Sequence, residues 1–220
     1  MAWTDSVDIY CERLGPGLWA EPFNALSNLG FIIAGLWLLR RSVKRGDPVA
    51  VRALPVLMVL IGFGSATFHT VATRWAEVLD VLFIGLYIYW FVACYARYRW
   101  TTPWWLALLC MGLFHGFSLG LGQLFKPDTL NGSVAYLPAL LGLLIFSLLT
   151  AWKDRLHRAR WFFAATLVFT FSLTLRTLDM SLCSQWSTGT HWAWHLLNAL
   201  TLSFATLGIS TTPGLVRSRI

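Results

Sequence analysis

Seven long apolar windows follow one another along this chain, at residues 24–41, 51–71, 75–97, 103–122, 133–152, 160–178 and 189–210. A helix that crosses a bilayer needs about 20 mostly apolar residues. Backbone placed in hydrocarbon must satisfy its own hydrogen bonds, which leaves only helices or a closed barrel. These runs are too long for barrel strands and do not alternate, so a β-barrel does not fit. The expected fold is all-α: an integral membrane bundle of seven transmembrane helices. Charged residues make up 12% of the 220, roughly half the share of a soluble domain. Residues 1–23 form a polar head with neither a basic n-region nor an apolar h-region, so no cleaved signal peptide is expected. Connections are short, and there is no low-complexity tract and no clear internal repeat. One domain over 24–212 and a short tail over 213–220 follow.

The net charge of +7 raises the question of nucleic acid, and its distribution answers it. With seven crossings, Arg40, Arg41, Lys44, Arg45, Arg52, Arg97, Arg99, Lys153, Arg155, Arg158, Arg160, Arg217 and Arg219 fall on one side. Arg13, Arg74, Lys126 and Arg176 fall on the other. Such asymmetry puts the C-terminus in the cytoplasm and the N-terminus outside. The partners it implies are anionic lipid headgroups and no nucleic acid. Small size and compact loops suggest a bacterial inner membrane. The tryptophans near helix ends, Trp3, Trp19, Trp75, Trp104, Trp105, Trp152, Trp161, Trp186 and Trp192 among them, suit a headgroup belt and need no ligand cage. Cys94 and Cys110 read as apolar packing groups. Cys11 and Cys183 lie in polar outer segments, where an oxidising compartment would allow a bond; their positions leave that open.

An ionisable side chain at a helix centre costs about 2.5–3.5 kcal/mol by insertion scales, so those within the windows are functional candidates. The segment GSATFHT places Ser65 one helical turn before His69 near the outer end of helix 2. Asp80 lies about one turn inside the outer end of helix 3. The segment HWAWH places His191 and His195 at i and i+4 in the first two turns of helix 7, on one face and close enough to grip one ion. Three helices thus bring polar groups to one depth on one side. The spacing matches H-E-x-x-H zinc proteases, but Trp192 stands where their glutamate base would be, which excludes that class. Three imidazoles leave a fourth tetrahedral position open, as at catalytic zinc. Asp80 could accept or orient a proton there, and Ser65 could steady an oxyanion. Helix-packing hydrogen bonds are the plainer alternative. Glu77 reads as a solvated rival base, His115 as a satisfied core histidine, His157 as a bland loop residue, and Arg176 with Asp179 as an i, i+3 pair.

The head gathers Asp5, Asp8, Glu12 and Glu21, followed by Asn24, Ser27 and Asn28. Oxygen ligands of this kind suit a hard cation such as calcium. A solvated acidic face with helix caps is the plainer explanation, with Pro22 opening helix 1.

Taken together, GFGSATFHT, the aspartate of AEVLDVLF, HWAWH, and the head elements CER and EPFNALSN resemble the alkaline ceramidase family, within a superfamily that includes the adiponectin and progestin receptors. The resemblance spans most of the chain. It implies an intramembrane zinc amidase that cleaves the N-acyl bond of ceramide into a fatty acid and a sphingoid base. His69, His191 and His195 would hold the zinc, Asp80 would act on the attacking water, and Ser65 would steady the oxyanion. The family also carries a calcium site in the head. Glu12 and Glu21 match it directly; Leu14 stands where a side-chain ligand can stand and Ile9 where the family has aspartate, with Asp8 one residue away. The likeness favours a Cys11–Cys183 disulfide. A superfamily receptor with structural zinc, a hydrolase of another lipid amide or ester, and a small transporter are the rival readings. Paired repeats or broken midplane helices would mark a transporter, and the polar groups here cluster at one rim.

Overall fold

The structure is a computed structural model that describes residues 2–154 and 156–210. Its helices are α1 (Pro22–Ser27), α2 (Leu29–Arg45), α3 (Val49–Val71), α4 (Arg74–Arg99), α5 (Trp104–Gly122), α6 (Leu137–Asp154), α7 (Leu156–Leu178) and α8 (His191–Ser210), with short 3₁₀ turns at Ser133–Tyr136 and Met180–Leu182. All seven windows are helical. Six spans are long and apolar enough to cross a membrane: Pro22–Arg45, Val49–Val71, Arg74–Arg99, Trp104–Gly122, Ser133–Asp154 and Leu156–Leu178. The last helix is diluted by two histidines, Asn198 and several hydroxyl residues, because it is the one most surrounded by protein. The first window is also less regular than a single helix. Pro22 opens α1 at its first position, and Asn28 separates α1 from α2. The tail at 213–220 lies outside the described residues.

Burial runs opposite to that of a soluble protein. Ile33, Leu36, Phe63, Leu113, Leu167 and Phe171 face outward, whereas Ser65, His69, Asp80, Ser147, Ser172, His191, His195 and Thr206 are buried. Apolar exterior and polar interior mark a multi-pass membrane protein, since lipid rather than water covers the outside. The helices form a ring in chain order, with α8 closing it against α7 and α2 and reaching inward to α3 and α4. That inward position lets residues of α8 meet residues of α3.

Close approach of α2, α3 and α4 depends on glycines. A Cβ at Gly35 would lie 2.8 Å from the Pro55 carbonyl oxygen, and one at Gly64 would lie 2.9 Å from that of Leu79. Contacts of this kind between small residues are how membrane helices pack without a hydrophobic driving force. At the end of the bundle away from His69, buried Asp47 accepts hydroxyl bonds from Ser42 and Ser210, each 2.6 Å. Arg99 pairs with Asp154 there, tying α4 to α6.

The head is pinned across the other end. The Val7 N–H donates to the Ala72 carbonyl (2.9 Å), and the Arg74 and Trp75 N–H groups donate to the Asp5 and Trp3 carbonyls (3.1 Å each). Cys11 is disulfide-bonded to Cys183, with the Cα atoms 5.5 Å apart. Three elements far apart in sequence thereby meet over the mouth of the bundle.

Candidate metal centre

His69 sits in the last turn of α3, and His191 and His195 in the first two turns of α8. Their rings converge, with centroid separations of 4.8 Å for His69–His195, 5.2 Å for His69–His191 and 4.6 Å for His191–His195. One ligand nitrogen from each lies within 4.8 Å of the others, and all three residues are buried. Among the described residues, this is the group of three or more such side chains able to hold a metal ion.

Neighbouring groups fix which nitrogens are available. The Glu21 carboxylate lies 2.6 Å from His69 Nδ1. A carboxylate only accepts, so Nδ1 donates and Nε2 keeps its lone pair. That Nε2 is buried with no hydrogen-bond partner. The Ser27 hydroxyl lies 2.7 Å from His195 Nδ1 and spends its own proton on the Asn24 carbonyl (2.9 Å). His195 Nδ1 is thus also the donor, and its Nε2 is the free acceptor. His191 Nδ1 is another buried nitrogen without a partner, and its ring stacks on Tyr10 at 3.7 Å. Three buried imidazoles, two of them held at Nδ1 by a carboxylate and a hydroxyl and two leaving a nitrogen without a partner, fit a zinc ion.

Ser65 and Asp80 share a tight cavity of about 10 Å³ with His191, His195, Tyr10 and Asn198, room for about one water. Ser65 and Asp80 thus face one small space, and Asp80 Oδ1 is buried with no hydrogen-bond partner. Burial pushes the Tyr10 phenol well above its usual range, so it stays a neutral wall of this cavity.

A model of the ceramidase family matches residues 10–212. This chain belongs to the ceramidase family. Among curated proteins, none matches it. Membership in the ceramidase family implies a lipid substrate, and the buried histidine triad is compatible with zinc.

Several side chains sit differently from their sequence expectation. Arg176 and Asp179 do not pair with each other. The Arg176 guanidinium donates to the Asn131 carbonyl (2.6 Å) and lies over the Tyr136 and Trp194 rings. Asp179 accepts the N–H groups of Thr190 (2.7 Å), His191 (2.9 Å) and Cys11 (3.1 Å). It thereby anchors the start of α8, a role its local spacing concealed. His115 is exposed on α5 and bonded to Tyr89 (2.9 Å) rather than lying in the core. Glu77 pairs with Arg74 at 2.9 Å and is partly exposed. The head carboxylates divide: Glu12 and Glu21 are buried beside α1, while Asp8 is exposed.

Proposed function

We propose that this chain is an intramembrane zinc-dependent amidase, which hydrolyses the N-acyl bond of ceramide-like lipids to a fatty acid and a sphingoid base. The observation that carries this reading is the junction of two unlike cavities. The polar cavity beside the histidines shares Phe31, Ile84, Tyr136 and Asn198 with an apolar one of about 70 Å³, which runs deeper along α4 toward Phe91 and Phe146. The apolar cavity in turn shares Ile84, Phe114, Tyr136 and Ala139 with an opening of about 220 Å³ between α4, α5 and α6. A lipid amide needs such a passage: an apolar slot for a chain, continuous with a polar end for the scissile group.

His69, His191 and His195 would hold the zinc, which when bound supplies a Lewis acid that polarises a carbonyl and acidifies water. Asp80 takes the proton of the attacking water and returns it to the departing amine nitrogen. Ser65 donates to the carbonyl oxygen as it gains negative charge. Glu21 and Ser27 keep two of the imidazoles in the tautomer that presents Nε2. The basic residues at the far end support a cytoplasmic C-terminus, and the disulfide supports an extracytoplasmic head, in keeping with a bacterial inner membrane.

The test is elemental analysis of purified protein in lipid nanodiscs, paired with a panel of N-acyl sphingoid lipids, other lipid amides and esters. One zinc per chain and equimolar fatty acid and sphingoid base are expected. Stoichiometric zinc without fatty acid release from any member of the panel would overturn the hydrolase and leave a heptahelical receptor with structural metal.

A further inference from the structure

The family resemblance provides a calcium ion in the head, and the head of this chain does not fit one. Both Glu12 oxygens are taken by the start of α1, accepting the Phe23 N–H at 2.7 Å and the Asn24 N–H at 2.8 Å. Glu21 is also fully engaged. One oxygen receives the Arg13 guanidinium, and the other receives the Asn24 side-chain amide (3.0 Å) and His69 Nδ1 (2.6 Å). What remains buried there is neutral: the Asn24 and Asn28 amide oxygens, which have no hydrogen-bond partner. Ile9 and Leu14 are apolar and point outward, Leu14 at 87% exposure, and Asp8 is exposed. Among the described residues, the head carboxylates do not gather into a group of three or more with one another or with His or Cys.

A cation is nonetheless present at this place, and it is covalent. Arg13 is buried, with its side chain 2% exposed beside a Glu21 that is equally covered. Its Nε meets Glu21, Nη1 donates to the Gly15 carbonyl and Nη2 to the His69 carbonyl, both at 3.1 Å. A planar guanidinium thus joins the head loop, the carboxylate and the end of α3 in one plane of donors. A divalent ion added here would have to displace those bonds and sit against a fixed positive charge.

We infer that Arg13 is the head's built-in cation, standing in for calcium, so that the fold and the histidine centre of this chain need no calcium. Arg13 is a positioning residue. It holds Glu21, Glu21 orients His69, and removal of such an outer partner lowers metal affinity about 10–100-fold.

Two measurements test this. Wild-type protein stripped of calcium is titrated with ⁴⁵Ca by equilibrium dialysis while its melting is followed. No saturable binding is expected up to about 1 mM, the weak end of extracellular calcium modules, and no rise in Tm. Saturable binding or a calcium-dependent Tm would overturn the inference. In the second, zinc is competed away with a chelator from Arg13→Lys and Arg13→Gln. Arg13→Gln should lose zinc about 10–100-fold more readily, and Arg13→Lys should recover most of the loss. Equal retention by Arg13→Gln and wild type would overturn the positioning role. The zinc arm rests on the proposed metal centre. The calcium arm uses wild-type protein alone, so a protein without zinc and a protein with calcium give separate failures, and an unfolded variant leaves the first arm intact.

Discussion

At the scale of single residues, the proposed chemistry separates holding from reacting. His69, His191 and His195 are buried with a ligand nitrogen of each close to the others, and His69 Nε2 and His191 Nδ1 have no hydrogen-bond partner. Asp80 and Ser65 stand on α4 and α3 beside them without joining the triad. Asp80→Asn is therefore expected to keep the metal and lower kcat by about 10²–10⁴, while Ser65→Ala lowers kcat by about 10²–10³ with KM little changed. Zinc content measured beside turnover checks both, and an active Asp80→Asn would remove it as the proton carrier. The triad was legible in the sequence because placing two windows in a membrane sets their histidines at one depth. Asp179 was not legible. Its i, i+3 arginine is a local cue, whereas its true partners are backbone N–H groups 11, 12 and 168 residues away. Arg13 was hidden likewise, since a basic residue in a polar head reads as solvated until burial is known.

Among the helices, the decisive relation is between α3 and α4, which carry Ser65 and Asp80 on facing sides. Gly64 sets their separation, because any side chain there would meet the Leu79 backbone. Gly64→Val should push α4 away from α3 without touching the contact of α3 with α8. The expected outcome is retained zinc with kcat reduced about 100-fold, the scale of a 1 Å misplacement. Loss of zinc in equal measure would show that α8 moves as well. The polar residues of α8 blur its hydropathy signal, and helix existence followed from hydropathy in the other six windows. The break at Asn28 did not, because a turn of one residue barely alters an apolar run. Yet that break turns Ser27 toward His195. Which helices become neighbours was likewise beyond composition, being set by glycine contacts and by the polar face of α8.

For the whole molecule, the row of cavities from α5 to the histidines is where the proposed reading puts the choice of substrate. Ala205 is buried and lines the apolar cavity. Ala205→Leu fills much of that space and should lower kcat/KM for long acyl chains at least about tenfold, sparing short ones. A uniform loss across chain lengths would instead mean that the cavity is not where the chain lies. The membrane class was readable from the windows, and the gathering of the histidines at one end of the bundle from their places near window ends. The passage was not, because it is formed by side chains of separate helices whose alignment no linear pattern records. Its outer wall is α5, of which, among the described residues, Ala107 alone is buried and whose contact with α6 is sparse. On its other side α5 is packed firmly against α4, so the seam is one-sided. On the proposed reading, the thin contact between α5 and α6 is the part of the bundle whose loosening would most widen the way to the histidines.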